Sequence, residues 1–346
     1  MSIIKFDMKS QLPRSFVLSN GVEMPSVGLG TYQMNEDELK LAIKVALDVG
    51  YRMFDTAANY KNEGFIGEIL ARELMERDMK RSDVFIITKL SPKDQGYDKT
   101  VDAMRKSASL LGGYIDLYLI HWPGVSKTDP SSAQNAVGRC ESWLAMQDIY
   151  SEAAQTQSQS EREGTGTGTD TGTGTGAGIG TGIGKPLVRA IGVSNYHVVH
   201  LQALLADPAL RVPPAVNQVE LHPCYHPTDL RKFCTDAGVH LQAYSPLGRG
   251  NLLAPEFLRQ FPEVRGMVRE GGEGLACVYL KWALQNGFSV LPKSRDGDRI
   301  RGNIAMFDDG NGPPHGTSLS PDQMRLLDQV QNARLEKFCW DSQSVA

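Results

Sequence analysis

An α/β fold, a single (β/α)8 TIM barrel with an N-terminal β-hairpin and an extra C-terminal helix, is predicted by three observations. Eight strand-like runs alternate with eight helical ones along nearly the whole chain. The strand-like runs are apolar along their length, as parallel strands covered on both faces are. A chain of 346 residues with 41% hydrophobic content can bury a core of that size.

The elements follow in order. "SFVLSNGVEMPSV" sets Asn20-Gly21, a strong short-range turn signal, between two β-prone runs and reads as a hairpin. "VGLGTY" is the first barrel strand, and in the helical "NEDELKLAIKVALDVG" Leu39, Ala42, Ile43, Ala46 and Leu47 recur at helical spacing before Gly50. The same pairing repeats with "YRMFDTA" and "EGFIGEILARELMERD", "VFIITKL" and "DKTVDAMRKSASLLG", and "IDLYLIHWP" and "AVGRCESWLAMQDIYSEA". It continues with "LVRAIGVSN" and "VVHLQALLAD", "AVNQVELHP" and "PTDLRKFCTDAG", "HLQAYSPLG" and "EGLACVYLKWALQNG", and "SVLPKS" and "DRIRGNIAMF". "SPDQMRLLDQVQNA", with Ser320 as N-cap and Pro321 at the first helical position, supplies the extra helix. An open doubly wound sheet is the competing fold, but it would carry a dinucleotide fingerprint after its first strand, and "GLGTYQ" has Gln33 where the third glycine belongs.

The run "EGTGTGTDTGTGTGAGIGTGIGK" holds ten glycines, all at even-numbered positions from Gly164 to Gly184. Neither G-x-G-x-x-G nor the P-loop pattern fits that spacing, and Gly184-Lys185-Pro186 lacks the hydroxyl residue of a P-loop. The segment 151–185 therefore reads as a low-complexity, disordered insertion between helix four and strand five, on the face opposite the active-site mouth. Lengthening such a loop costs only about 2 kcal/mol of closure entropy.

Composition narrows the partners. A net charge of −4 with no long basic run gives no attraction to nucleic acid or anionic membranes. No apolar stretch is long enough to span a bilayer, and Lys5, Asp7 and Lys9 interrupt the N-terminal apolar residues, so a cytoplasmic location is expected. Five cysteines (Cys140, Cys224, Cys234, Cys277 and Cys339) without a C-x-x-C pair fit reduced thiols. "HPCYH" has a metal-like look in His222, Cys224 and His226, but Pro223 and Pro227 break any helical ligand face, and no metal is expected.

In a barrel the chemistry lies at the C-terminal strand ends. Strand two ends in Asp55 with Tyr60 in its loop, strand three in Lys89, and strand four in His121 before Trp122-Pro123. Singly, each type also serves structure, as a turn cap, a solvated strand end or a packed core ring; four converging on one mouth point to chemistry. These residues, within "GLGTY", "GYRMFDTAANYKNE", "IITKL", "YLIHWP", "AIGVSN", "NQVELHP", "YSPLG" and "PKS", resemble the aldo-keto reductase family over nearly the whole chain except the insertion and the termini. The resemblance implies a monomeric enzyme that passes a hydride from NAD(P)H to an aldehyde or ketone, reversibly, with Asp55, Tyr60, Lys89 and His121 as the catalytic tetrad. The chemistry agrees: hydride addition builds negative charge on the carbonyl oxygen, which needs a proton donor and dipolar groups. Tyr60 would donate, Lys89 would favour the phenolate left behind, Asp55 would hold Lys89, and His121 would align the carbonyl.

The resemblance also implies the coenzyme contacts. Ser194, Asn195 and Gln218 would meet the nicotinamide carboxamide, Tyr244 would stack on the ring, and Thr31, Tyr32 and Asp55 would lie beside it. Ser245 and Leu247 would flank the pyrophosphate. Lys293, Ser294 and Arg299 would grip the adenosine 2′-phosphate and Asn303 the adenine end, which favours NADPH over NADH. Gly302 stands where many relatives carry an acidic residue, and Arg295 and Arg301 read as solvated charges. Tyr32, His121, Trp122 and Trp340 would line an aromatic substrate pocket, its shape left to "PGVSKTDPSSAQN", "GRGNLLAPEFLRQFPEV" and the tail "RLEKFCWDSQSVA". Two other classes stay open: a cofactor-binding barrel serving as redox sensor or scaffold with weak catalysis, which the complete tetrad disfavours, and a metal-dependent hydrolase, which would want an H-x-H that the chain lacks.

Overall fold

A computed structural model describes residues 12–163, 186–268, 274–307 and 318–346. Strands β1 (Ser15–Val17) and β2 (Glu23–Pro25) pair antiparallel, Val17 opposite Glu23. The turn between them is closed by Leu18 N–H on the Val22 carbonyl at 2.9 Å, and Gly21 takes a φ of +82° that a side chain would resist.

Eight parallel strands follow: β3 (Leu29–Gly30), β4 (Met53–Asp55), β5 (Phe85–Leu90), β6 (Ile115–Ile120), β7 (Val188–Ser194), β8 (Val216–Glu220), β9 (His240–Tyr244) and β10 (Ser289–Leu291). Each pairs with its neighbour in chain order. The ring closes where Val27 bridges Val290 and Gly28 and Gly30 donate to the Val290 and Pro292 carbonyls at 2.9 and 3.0 Å. The crossovers are α1 (Glu36–Asp48), α2 (Glu63–Glu76), α3 (Tyr97–Leu110), α4 (Gln134–Glu163), α5 (Val198–Leu205) and α6 (Thr228–Ala237). After β9, short α7 (Pro255–Gln260) and α8 (Pro262–Arg265) precede α9 (Leu275–Gln285); α10 (Gly297–Ile304) and α11 (Pro321–Ala333) follow β10. All eight expected strand-helix units and the hairpin are therefore present. Ser320 caps α11 through the Gln323 amide, with Pro321 in its first turn, as its sequence predicts.

Helix α4 departs from the expected boundaries. It continues through Glu163, so residues 151–163, expected to belong to the unstructured insertion, are helical. The run 151–163 has no proline or glycine and is rich in Ala, Gln and Glu, all good helix formers, until Gly164. The rest of the insertion, 164–185, lies outside the described residues.

The core forms two shells. Between strands and helices lie Phe54, Ile86, Tyr118, Ile191, Val193 and their helical partners. Inside the ring are Met53, Phe85, Ile87, Leu117, Leu119, Ala190 and Val216, with Leu18 and Met24 of the hairpin packed against them. The hairpin thus plugs the N-terminal end. Because strand side chains alternate, the inward rows run Met53 to Asp55, Ile87 to Lys89, Leu119 to His121, and Val216 through Gln218 to Glu220. The apolar interior hands over to polar chemistry at the opposite mouth.

Candidate active site

Lys89, at the end of β5, is only 1% exposed. Its Nζ donates to both Asp55 carboxylate oxygens at 2.7 Å and to the Thr56 carbonyl at 2.8 Å. Burial lowers the Lys89 pKa, and Asp55 and then Glu63 push the other way. Asp55 is held in turn: Gln218 Nε2 donates to its Oδ2 at 2.9 Å and to Gln242 Oε1 at 2.8 Å. Thr31 donates through its hydroxyl and its amide to the Asp55 carbonyl at 2.8 and 3.1 Å.

Tyr60 ends a 3-10 turn (Ala58–Tyr60) that follows β4, with Lys61 left-handed at φ 58°. The loop is pinned from both sides. Thr56 donates to Asn62 Oδ1 at 2.7 Å, Asn62 Nδ2 to the Thr31 carbonyl at 3.1 Å, and Ser91 to Asn59 Oδ1 at 2.6 Å. The Tyr60 ring lies with its centre 5.3 Å from Lys89 Nζ, 4.9 Å from the Tyr32 ring and 5.7 Å, edge-on, from His121. Burial, reinforced by Asp55, Tyr32 and Cys339, raises the Tyr60 pKa well above 10. The resting phenol therefore keeps its proton. Burial, with Lys89 second, pushes His121 down to about 3, so its ring is neutral at ordinary pH. Its buried Nδ1 has no hydrogen-bond partner among the described residues.

Strands β7 to β9 form a lattice beside these groups. Ser194 Oγ donates to the Gln218 carbonyl at 2.8 Å, Asn195 Nδ2 to the His121 carbonyl at 2.9 Å and Ser194 Oγ at 3.0 Å, and Tyr244 OH to Asn195 Oδ1 at 2.8 Å. The N–H groups of Asn195 and Gln218 are thus committed inside the protein. Among the described residues Gln218 Oε1 has no partner. Ser245 is left-handed at φ 48° and lies 3.5 Å from Cys339 Sγ; Leu247 packs against the core.

The residues expected to meet the coenzyme phosphate lie just before and within the first turns of α10. Ser294 bonds the Asp296 amide, Asp296 caps α10 through the Arg299 amide, and Asn303 is buried. Arg295 pairs with Glu38 and Arg301 with Asp298, whereas the exposed side chain of Arg299 has no ion-pair partner among the described residues. Lys293 is exposed, its pKa lowered by partial burial and by Arg295. At the mouth, Trp122 meets Trp340 edge-on with ring centres 6.5 Å apart. His222 bonds Glu220 and His226 bonds Arg231, and among the described residues no three or more His, Cys, Asp or Glu are grouped to hold a metal.

Gln242, Asn62 and Glu220 were not predicted as site residues. Gln242 had a signal: a polar residue inside an apolar strand, at the register position opposite Gln218. Glu220 had the signal of a charged residue ending an apolar strand, whereas Asn62, held by Thr56 and by the more distant Thr31, had none.

Asp55, Tyr60, Lys89 and His121 thus meet at one mouth of a (β/α)8 barrel, and the comparisons show the family of barrel oxidoreductases to which the chain belongs. The model of the Aldo/keto reductase family matches residues 26–164 and 183–330. An uncharacterized oxidoreductase of Bacillus subtilis, YtbE, is 33% identical over 95% of this chain and 97% of its own. Glyoxal reductase of the same organism is 36% identical over 87% and 90%. The crystal structure of MGS-M4, an aldo-keto reductase from a deep-sea metagenome library, superposes with a TM-score of 0.70 at 29% identity, covering 96% of this chain and 99% of that one. The chain belongs to the aldo/keto reductase family.

Proposed function

We propose that the protein reduces an aldehyde or ketone to the alcohol, reversibly, using NADPH, with Tyr60 as proton donor. The observation that carries this reading is the buried Lys89–Asp55 pair beneath a protonated Tyr60 phenol, with neutral His121 against the same ring. A coenzyme bound there supplies the hydride; the chain's own groups handle the oxygen. His121, neutral, donates a ring N–H that orients the carbonyl, and Tyr60 passes its proton to the developing alkoxide. The fixed Lys89 charge stabilises the phenolate, needing no reorganisation because Asp55 and the Thr56 carbonyl already hold it.

The residues fit a phosphorylated nicotinamide coenzyme. Gln218 Oε1 can accept from a carboxamide N–H, Tyr244 and Tyr32 offer ring faces, and Arg299 and Lys293 present cationic donors at the start of α10. Ser194 and Asn195 contribute as the lattice that fixes Tyr244 and the His121 backbone. Since one relative is named for glyoxal reduction, small aldehydes are the first substrates to offer, followed by aromatic ones. The reading takes the chain to act as a cytoplasmic monomer, which gel filtration checks in part. Loss of NADPH absorbance with such aldehydes, abolished by Tyr60→Phe, tests it. No turnover of a broad carbonyl panel with either coenzyme would refute it.

A further inference from the structure

The chain beyond α11 returns across the mouth of the barrel, and its seat is Glu220. This residue ends β8 on the same inward row as Gln218 and is 1% exposed. Oε1 accepts the Phe338 amide at 2.7 Å and lies 3.0 Å from His222 Nε2; Oε2 accepts the Cys339 amide at 3.0 Å. A carboxylate this deep costs several kcal/mol to desolvate unless it is well partnered, and two of its three partners belong to the tail. The Phe338 ring packs on His222 with centres 5.3 Å apart.

Beyond that seat the tail touches the site directly. Cys339 Sγ lies 3.5 Å from Ser245 Oγ, and Ser342 donates to the Asn195 carbonyl at 2.5 Å. Between these two contacts comes Trp340, 79% exposed, with its edge contact to Trp122. A side chain so exposed takes its place from the backbone that carries it, and that backbone is fixed one residue earlier, at the Cys339 amide.

We propose that Glu220 is a positioning residue: by holding the Phe338 and Cys339 amides it sets Trp340 against Trp122 as one wall of the substrate pocket, and so favours carbonyl substrates bearing an aromatic or comparably bulky apolar group. The inference rests on the reductase reading above. Glu220 touches no reacting atom and acts on KM through the tail.

Glu220→Gln keeps the volume of the side chain but presents an NH2 group to one of the two amides. With NADPH, KM for a bulky aromatic aldehyde rises about tenfold, kcat stays within about twofold, KM for a three-carbon aldehyde is unchanged, and coenzyme affinity measured by fluorescence is unchanged. Chymotrypsin cleaves the folded variant after Phe338 or Trp340 at least tenfold faster than wild type. Trp340→Ala raises the same KM, and the double variant is no worse than the worse single one. Should Glu220→Gln not fold, the tail side decides: Cys339→Pro deletes one amide donor and reproduces the KM rise and the cleavage, whereas Cys339→Ser keeps both the amide and a side-chain group facing Ser245 and leaves that KM and the cleavage rate as in wild type. Wild-type cleavage rates in Glu220→Gln and Cys339→Pro, a fall in kcat at constant KM, or additive effects with Trp340→Ala would each overturn the proposal. Were the wild type to reduce no carbonyl at all, the reductase reading would fall, and the cleavage rates would still decide whether Glu220 seats the tail.

Discussion

Lys89 Nζ stands 2.7 Å from both carboxylate oxygens of Asp55, and both residues are buried. A buried pair of this kind is costly to break from one side only, because the surviving charge keeps its desolvation penalty. Lys89→Met should therefore lose activity and also about 3–5 kcal/mol of stability in urea unfolding. Removing the carboxylate as well, in Lys89→Met with Asp55→Leu, should recover at least half of that stability and none of the activity. A single variant as stable as wild type would contradict the pairing.

Tyr60 offers the complementary case. Its hydroxyl has no hydrogen-bond partner among the described residues, so Tyr60→Phe removes no internal contact. Reduction should slow by about 10²–10⁴-fold, the usual worth of a positioned general acid, while stability and coenzyme affinity stay near wild type. Stopped-flow turnover beside a coenzyme titration separates the two; a matching loss of coenzyme affinity would show Tyr60 to be a binding residue instead.

At the proposed 2′-phosphate site the structure separates arginines that look alike in sequence. Arg295 is already paired with Glu38 and Arg301 with Asp298, but Arg299 is uncommitted among the described residues. A charge-assisted hydrogen bond is worth about 1.5–3 kcal/mol, so Arg299→Ala should raise KM for NADPH by roughly 10- to 100-fold and leave KM for NADH unchanged. Arg301→Ala should do much less. Equal effects on both coenzymes would remove the 2′-phosphate from the argument.

The barrel and the convergence of Asp55, Tyr60, Lys89 and His121 at its mouth were legible in the sequence because both rest on short-range regularities. Apolar strand runs gave the eight units, and the two-residue alternation that buries Ile87 and Leu119 carries Lys89 and His121 to the mouth. The end of α4 was misplaced because the low-complexity composition masked a continuous stretch of helix formers ahead of Gly164. The Glu220 seat was invisible for another reason: its partners Phe338 and Cys339 are 118 and 119 residues away, and no local pattern encodes such a contact. The amides of Asn195 and Gln218 were assigned to a ligand by type, whereas their N–H groups are engaged with His121, Asp55 and Gln242.

The insertion gives a prediction by position. It joins the far end of α4 to the start of β7, and strand starts lie on the face opposite the mouth. Replacing residues 164–185 by a short Gly-Ser linker should leave kcat and KM within about twofold, measured on folded protein. A large loss would place the segment in the catalytic cycle.

Acid stability follows from histidines held neutral. The His240 ring packs on Phe16 at 4.7 Å, and its Nε2 accepts the Ser289 amide at 3.3 Å, which a protonated ring cannot do. Burial pushes the His240 pKa down to about 4, and His121 shares that direction at about 3. An unfolded histidine takes its proton near pH 6.5, so between pH 6.5 and 4 the unfolded chain binds protons that the native one refuses. Stability is then complete above pH 6.5 and lost as the pH falls, by up to about 1.4 kcal/mol per unit for each such group. Urea midpoints measured from pH 6.5 to 5, where ordinary carboxylates stay ionised, should fall steadily. In His240→Gln, whose side-chain oxygen can still accept from Ser289, they should fall less steeply; parallel profiles for the two proteins would show that His240 does not carry the effect.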